Sequence, residues 1–208
     1  MKKPIKPQPI DQTEAEVFII ETLSVKDQIA ERYEGRILSD ILKLCDKKPA
    51  YVYCRTKKEF EEAADMFRLS GYRFLHISAH GSTDAIFTTL EEIPNKEFAE
   101  IFKGKIRNRR VFFSACEVGS GTLNLLIQGG NKGIYSIACP LDAIRFDHAA
   151  ATLAAFYVRM FQLDSGGMKG TEVEKTLQHM CRMFGIRFSW SWYKPKEDTW
   201  NQKVLEGN

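Results

Sequence analysis

From residue 17 onward the sequence switches repeatedly between two hydrophobic periods, short β-branched or aromatic runs and helix-length segments with apolar residues three and four apart. The runs are VFIIET (17–22), AYVYC (50–54), YRFLHISAH (72–80), RVFFSAC (110–116) and GIYSIACP (133–140). Each is strand-length, and Ser24, Pro49, Gly71, Gly81 and Gly133 punctuate them. Between them, Ser24 can cap a helical segment carrying Ile29, Tyr33, Ile37, Leu38, Ile41 and Leu42, which Gly35 can break in two. Thr56 and Glu59 form a capping box for TKKEFEEAADMFRLSG, whose apolar face is Phe60, Ala63, Ala64 and Phe67 and whose terminator is Gly71. NKEFAEIFKG (95–104) predicts a short helix, and Asp147 can cap an apolar helix from His148 to about Leu163. Thr171 with Glu174 makes a second capping box, for a helix ending near Gly185, and FSWSWY closes the chain as an alternating strand. Strands alternating with helices predict an α/β fold, a mostly parallel central sheet with helices on both faces. RVFFSAC is apolar on both faces and belongs mid-sheet. In such sheets, sites form beyond the carboxyl ends of the strands.

Composition excludes several classes. The 30 basic and 27 acidic residues are spread through 208 positions without the basic block of a nucleic-acid footprint. AAATLAAFYVRMF, the most apolar segment, is shorter than the roughly 20 residues of a membrane span and carries Arg159. Five cysteines, an odd number with no CxxC pair, fit reduced thiols and a cytoplasmic protein. Residues 1–14, rich in proline and lysine, read as a flexible lead, and residues 15–208 as one domain.

The chemistry concentrates in HISAHG (76–81) and SACEVGSG (114–121). On a helix, His76 and His80 would share a face as in zinc-binding HExxH, but the Glu is missing and FLHIS is strand-like. On a strand they lie about 13 Å apart, beyond the reach of one ion. His76 then reads as a core residue, and His80, where the strand runs out, as the chemical one. Cys116 ends its own strand before a glycine- and serine-containing loop. It reads either as a buried small hydrophobe or as a nucleophile whose thiolate an imidazolium from a neighbouring strand end supports. Backbone N–H groups after such turns can hold an oxyanion.

The run FLHISAHGSTDAIFTTLEEIPNKEFAEIFKGKIRNRRVFFSACEVGSG, continued by GIYSIACPLDAIRFDHAAATLAAFYVRMF, resembles the caspase-like cysteine peptidases of clan CD. Within them it is most similar to the CHAT domain, a relative of caspases and separase. The resemblance covers about residues 50–163. It implies a caspase-hemoglobinase fold and a His80–Cys116 dyad, with the N–H groups of Gly81 and Cys116 as the oxyanion hole and no metal or other cofactor. It also implies a protein or peptide substrate and a setting in bacterial defence or regulated cell death. No repeat or sensor segment is recognisable in the sequence, so activation by a protein partner is expected. The spacing of 36 residues from His80 to Cys116 is shorter than the roughly 50 of caspases, and SACEVG is not the caspase QAC[RQG]G, so aspartate specificity does not carry over. As in several clan members, an acid beside the site, Asp142 first and then Glu117 or Asp147, could meet a basic P1 side chain. The competing class is a catalytically silent interaction module that recruits a partner protein, and a third is a small-molecule hydrolase or transferase using Cys116.

Other prominent residues have plainer readings. Phe188, Trp190 and Trp192 are in step as one buried strand face, and Cys139 and Cys181 are core. His148 and His179 are packed or solvated helix residues, and KGKIRNRR (103–110) is a solvated loop.

Overall fold

The structure is a computed structural model that describes residues 13–166 and 169–207. Seven strands form one sheet: β1 (Glu14–Glu21), β2 (Ala50–Tyr53), β3 (Tyr72–Ser78), β7 (Arg110–Ser114), β8 (Ser136–Pro140), β9 (Phe188–Lys194) and β10 (Thr199–Leu205). Their order is β10-β9-β8-β7-β3-β1-β2. The five strands from β2 to β8 are mutually parallel, and β9 and β10 add an antiparallel edge. A separate three-stranded antiparallel sheet, β4 (His80–Gly81), β5 (Ala85–Phe87) and β6 (Glu92–Pro94), sits between β3 and β7 in the chain.

Helices cover both faces. Helices α3 (Lys57–Ser70), α4 (Asn95–Ile101) and α5 (Leu123–Gly130) pack on one face, where Phe60, Phe67, Phe98 and Leu123 meet Ile77, Phe113 and Ile137. On the other face α2 (Glu34–Leu44), α6 (Phe146–Leu163) and α7 (Gly170–Phe184) bury Leu38, Leu153, Tyr157 and Leu177 against Ile19, Phe74 and Phe112. A short α1 (Val25–Ile29) follows β1. Every side chain of β7 is buried, as its two-faced apolar pattern predicts. Phe112 and Phe113 point to opposite cores, each contributing about 1.5–3 kcal/mol by leaving water.

The Thr56–Glu59 capping box and the left-handed Gly71 stop bound α3 as the sequence predicts. Gly35 does not divide the segment after Ser24: it lies in the first turn of α2, so close to β1 that an added Cβ would stand 2.9 Å from Ile19, and the break falls between Ile29 and Glu34, where Glu31 turns left-handed with φ at 54°.

Other expectations need correction. β3 stops at Ser78, and His80 belongs to the small sheet, paired with Phe87. Asp147 lies in the first turn of α6 behind the cap residue Arg145, whose guanidinium it binds. Thr171 lies inside α7, which starts at Gly170 and has no side-chain cap. The chain does not close on FSWSWY, because β10 covers that strand. KGKIRNRR is not simply solvated: Ile106, Arg109 and Arg110 are buried, with Arg109 over the Phe67 ring and Arg110 donating to Ser136 Oγ. Of the segment read as a lead, residues 1–12 lie outside those described, whereas Thr13 is buried and Glu14 begins β1. Trp190 is buried in step with Phe188, and His148 and His179 are exposed. Among the described residues no helix is long and apolar enough to cross a membrane.

Candidate active site

The chain order places a crevice at the carboxyl ends of β1 and β3. From β1 the chain crosses to β2 on one side, and from β3 it proceeds to β7 on the other. Loops leaving adjacent strands in opposite directions open a cleft there. His80 follows β3 and Cys116 follows β7, its parallel neighbour.

Three glycines let the loops approach. A Cβ on Gly81 would stand 2.7 Å from Val118 and 3.0 Å from the Cys116 carbonyl oxygen, so the His80 turn lies directly on the Cys116 turn. A Cβ on Gly121 would fall 2.0 Å from the Thr83 carbonyl oxygen, and one on Gly119 2.7 Å from that of Pro140. The loop after Cys116 is thus clasped between the loop after His80 and the end of β8. Hydrogen bonds fix the clasp: Gly119 N–H donates to Pro140 O at 2.8 Å, and Asn95 Nδ2 to Thr83 O at 2.8 Å. Glu117 turns the chain with φ at 56°, a left-handed conformation that non-glycine residues rarely adopt.

Cys116 is half-buried, and its Sγ lies 3.4 Å from both the N–H and the carbonyl of Ile144. It accepts from the first and, as a thiol, donates to the second. Burial pushes the thiols of Cys54 and Cys181 up to about 12 and that of Cys139 higher still, so these three stay protonated at neutral pH. Cys45 caps the far end of α2, next to the amino end of the sheet. Cys116 is therefore the cysteine placed at the cleft.

The His80 imidazole is 37% exposed, and its Nε2 lies 2.6 Å from Asp27 Oδ2. Phe146 meets the ring edge-on, with centroids 5.2 Å apart. No hydrogen bond joins His80 to Cys116 in this state. Asp27 is buried on α1, and the sequence reading did not single it out. The signal was SVKD, an N-cap serine with an acid three residues on. Burial by itself would raise the Asp27 carboxyl, but hydrogen bonds from Ser24, His80 and Arg32 outweigh it and hold the group below the usual carboxylate range. His76, four residues earlier, is fully buried, with Nε2 at 3.4 Å from Glu34 Oε2 and its ring against Tyr157.

The three acids expected near a basic P1 side chain are spread around the rim. Asp142 is exposed, and Arg187 spans its carboxylate at 2.8 and 2.5 Å, while its backbone oxygen accepts from Glu117 N. Asp147 is exposed, and its Arg145 partner lowers it to about 2. Glu117 is exposed and has no ion pair among the described residues. A cavity of about 520 Å³ beside His80 is lined by Lys26, Asp27, Arg32, Phe87 and Thr89. A second, of about 490 Å³, is lined by Arg32, Arg145, Phe146 and Asp147. Three cations, Lys26, Arg32 and Arg145, and two carboxylates, Asp27 and Asp147, face these cavities, with Arg32 and Arg145 each paired to one of the acids.

This arrangement of sheet, helices and strand-end loops is a caspase-like fold. Two solved cysteine proteases share it. One is a secreted C11 cysteine protease from Bacteroides thetaiotaomicron, solved with an irreversible peptide inhibitor, at a TM-score of 0.57 and 7% identity over 86% of this chain. The chain spans 66% of that protease's length. The other is caspase-1 from Spodoptera frugiperda, at a TM-score of 0.53 and 12% identity, covering 95% of this chain and 90% of that one. No protein-family model and no curated protein matches the sequence.

Proposed function

We propose that this chain is a CHAT-like cysteine endopeptidase in which His80 and Cys116 act as a dyad on a protein or peptide substrate. The observation that carries the reading is the packing of Gly81 on the Cys116 carbonyl, which holds the His80 and Cys116 turns against each other at the ends of adjacent strands. Cys116 attacks the scissile carbonyl, His80 protonates the leaving amine, and water hydrolyses the thioester. The N–H groups of Gly81 and Cys116 receive the developing oxyanion. The inhibitor-bound C11 protease supports a peptide ligand for this fold. A basic P1 preference through Asp142 requires Arg187 to yield its place, and Glu117 and Asp147 are the alternatives. The wider assignments are cytoplasmic action, one domain over residues 15–208, an activating partner, and a role in bacterial defence or regulated cell death.

The test is cleavage of a peptide library by the wild type and by Cys116→Ala, with alkylation of Cys116 measured beside His80→Ala. Cleavage disappears in Cys116→Ala, and alkylation at neutral pH slows in His80→Ala. Equal alkylation rates remove the dyad and leave the interaction-module reading.

A further inference from the structure

We propose that Asp27 is the positioning residue of this centre: its carboxylate takes the Nε2–H of His80 and leaves Nδ1 as the nitrogen that exchanges protons with Cys116. The use made of that proton rests on the protease reading; the pairing rests on geometry alone. The 2.6 Å contact is in the range of a charge-assisted hydrogen bond. The carboxylate is itself held from several sides. Ser24 Oγ donates to Oδ2, Arg32 donates to Oδ1 at 3.3 Å, and the Asp27 N–H returns to Ser24 Oγ at 3.1 Å. Its side chain is only 7% exposed, so these partners and the packing around α1 set its direction.

An ionised carboxylate only accepts, and these bonds keep Asp27 ionised despite burial. The hydrogen in the contact therefore belongs to His80. In the neutral ring it sits on Nε2, and Nδ1 carries the lone pair, with no hydrogen-bond partner among the described residues. Phe146 restrains the ring from a second direction. Besides Asp27, the charged side chains that line the two cavities are Lys26 and Arg32 on and after α1, and Arg145 and Asp147 at the start of α6. Of all of these, Asp27 alone is hydrogen-bonded to the imidazole.

The proton path then closes. Nδ1 takes the Cys116 proton as sulfur bonds to the carbonyl carbon, and the resulting imidazolium stays paired with Asp27 through Nε2–H. Nδ1–H passes to the amine as the C–N bond breaks. Nδ1 next takes a proton from water as its oxygen attacks the thioester carbon, and returns that proton to the departing sulfur. Asp27 keeps its charge throughout, as an orienting carboxylate does.

The experiment is ¹⁵N spectroscopy of the full chain labelled at histidine, at a pH where the ring is neutral, with the His80 signals identified by their loss in His80→Gln. The expected wild-type spectrum has Nε2 protonated and Nδ1 bare. Asp27→Asn, which keeps the side-chain shape, removes that bias and lowers kcat by about 100-fold with KM little changed. Arg32→Ala keeps the tautomer. An Nδ1–H tautomer in the wild type, or an unchanged spectrum in Asp27→Asn, overturns the proposal, and the wild-type spectrum decides alone if the variant does not fold. Should no peptide be cleaved by the wild type, the protease reading falls, while the nitrogen spectra still decide the role of Asp27.

Discussion

Gly121→Ala is the substitution that most directly tests whether packed loops hold this site together. The added Cβ would stand 2.0 Å from the Thr83 carbonyl oxygen, 2.7 Å from its carbonyl carbon and 2.9 Å from its Cα. All three are backbone atoms, so no rotamer change relieves the clash. Real Cβ contacts hardly fall below 3.0 Å, so the two loops must separate by about 1 Å (3.0 minus 2.0). Overpacking of this kind costs about 1–3 kcal/mol, and a domain of this size loses about 2–4 °C of Tm per kcal/mol. The same shift moves the loop carrying Cys116 relative to the loop that follows His80, and a misplacement of about 1 Å costs on the order of 100-fold in rate. The assay pairs thermal unfolding with the rate of Cys116 alkylation and of peptide cleavage. Gly129→Ala is the control, because a Cβ there meets nothing within 4 Å and replaces a helical glycine. That change stabilises α5 by about 0.5–1 kcal/mol. A Gly121→Ala protein that melts and reacts like the wild type would refute the clasp.

Arg187→Ala frees the Asp142 carboxylate. If Asp142 meets a basic P1 side chain, kcat/KM for Arg or Lys peptides rises roughly 2–5-fold over neutral ones, the scale of an exposed ion pair; an equal change for every peptide removes Asp142 from the pocket. Glu21 is buried, and desolvation raises its carboxyl above the usual range against hydrogen bonds from Tyr51 and the N–H groups of Gly35 and Arg36, with Glu34 adding to the rise. An acid raised on folding contributes stability that is full below its unfolded pKa and is lost as pH climbs through the folded value. The unfolding free energy of the wild type relative to Glu21→Gln therefore falls from about pH 4.3 upward, read from denaturant melts across pH 4–7; a flat difference contradicts the burial argument.

The parallel core was legible because its signals are local. The Thr56–Glu59 box, Gly71 and the two-faced apolar run of β7 each state their structure within a few residues. The failures come from pairing partners that a period cannot show. The hydrophobic run continues past Ser78, yet Ala79 N–H bonds to Ser114 O and His80 then pairs with Phe87 in another sheet. β10 escaped notice because TWNQKVL is an edge strand, mostly exposed, with polar residues where a buried strand would be apolar. Thr171 and Glu174 match the capping-box spacing, but a helix that begins at Gly170 already places Thr171 in its first turn. His80, Gly81 and Cys116 were visible at strand ends. Asp27 was not, since its partner lies 53 residues away in sequence.

The two histidines of HISAHG receive similar chemistry from one short stretch of chain. Asp27 on α1 faces Nε2 of His80, and Glu34 at the start of α2 faces Nε2 of His76. Carboxylate pairing therefore does not distinguish them. Access and geometry do. The His76 side chain is fully buried with its Nδ1 unpartnered, and its carboxylate contact is long, 3.4 Å. No substrate atom can reach that ring. The His80 ring is 37% exposed, its contact is 2.6 Å, and it opens on the cavity between α1 and β5. The end of β3 makes this difference, because leaving the sheet at Ser78 turns His80 out of the core while keeping it within reach of the segment that follows β1. A chain that continued β3 to residue 80 would keep the imidazole in the main sheet and away from the small sheet beside Cys116. The break in the strand, more than the histidine itself, is what gives this imidazole access to the cavity.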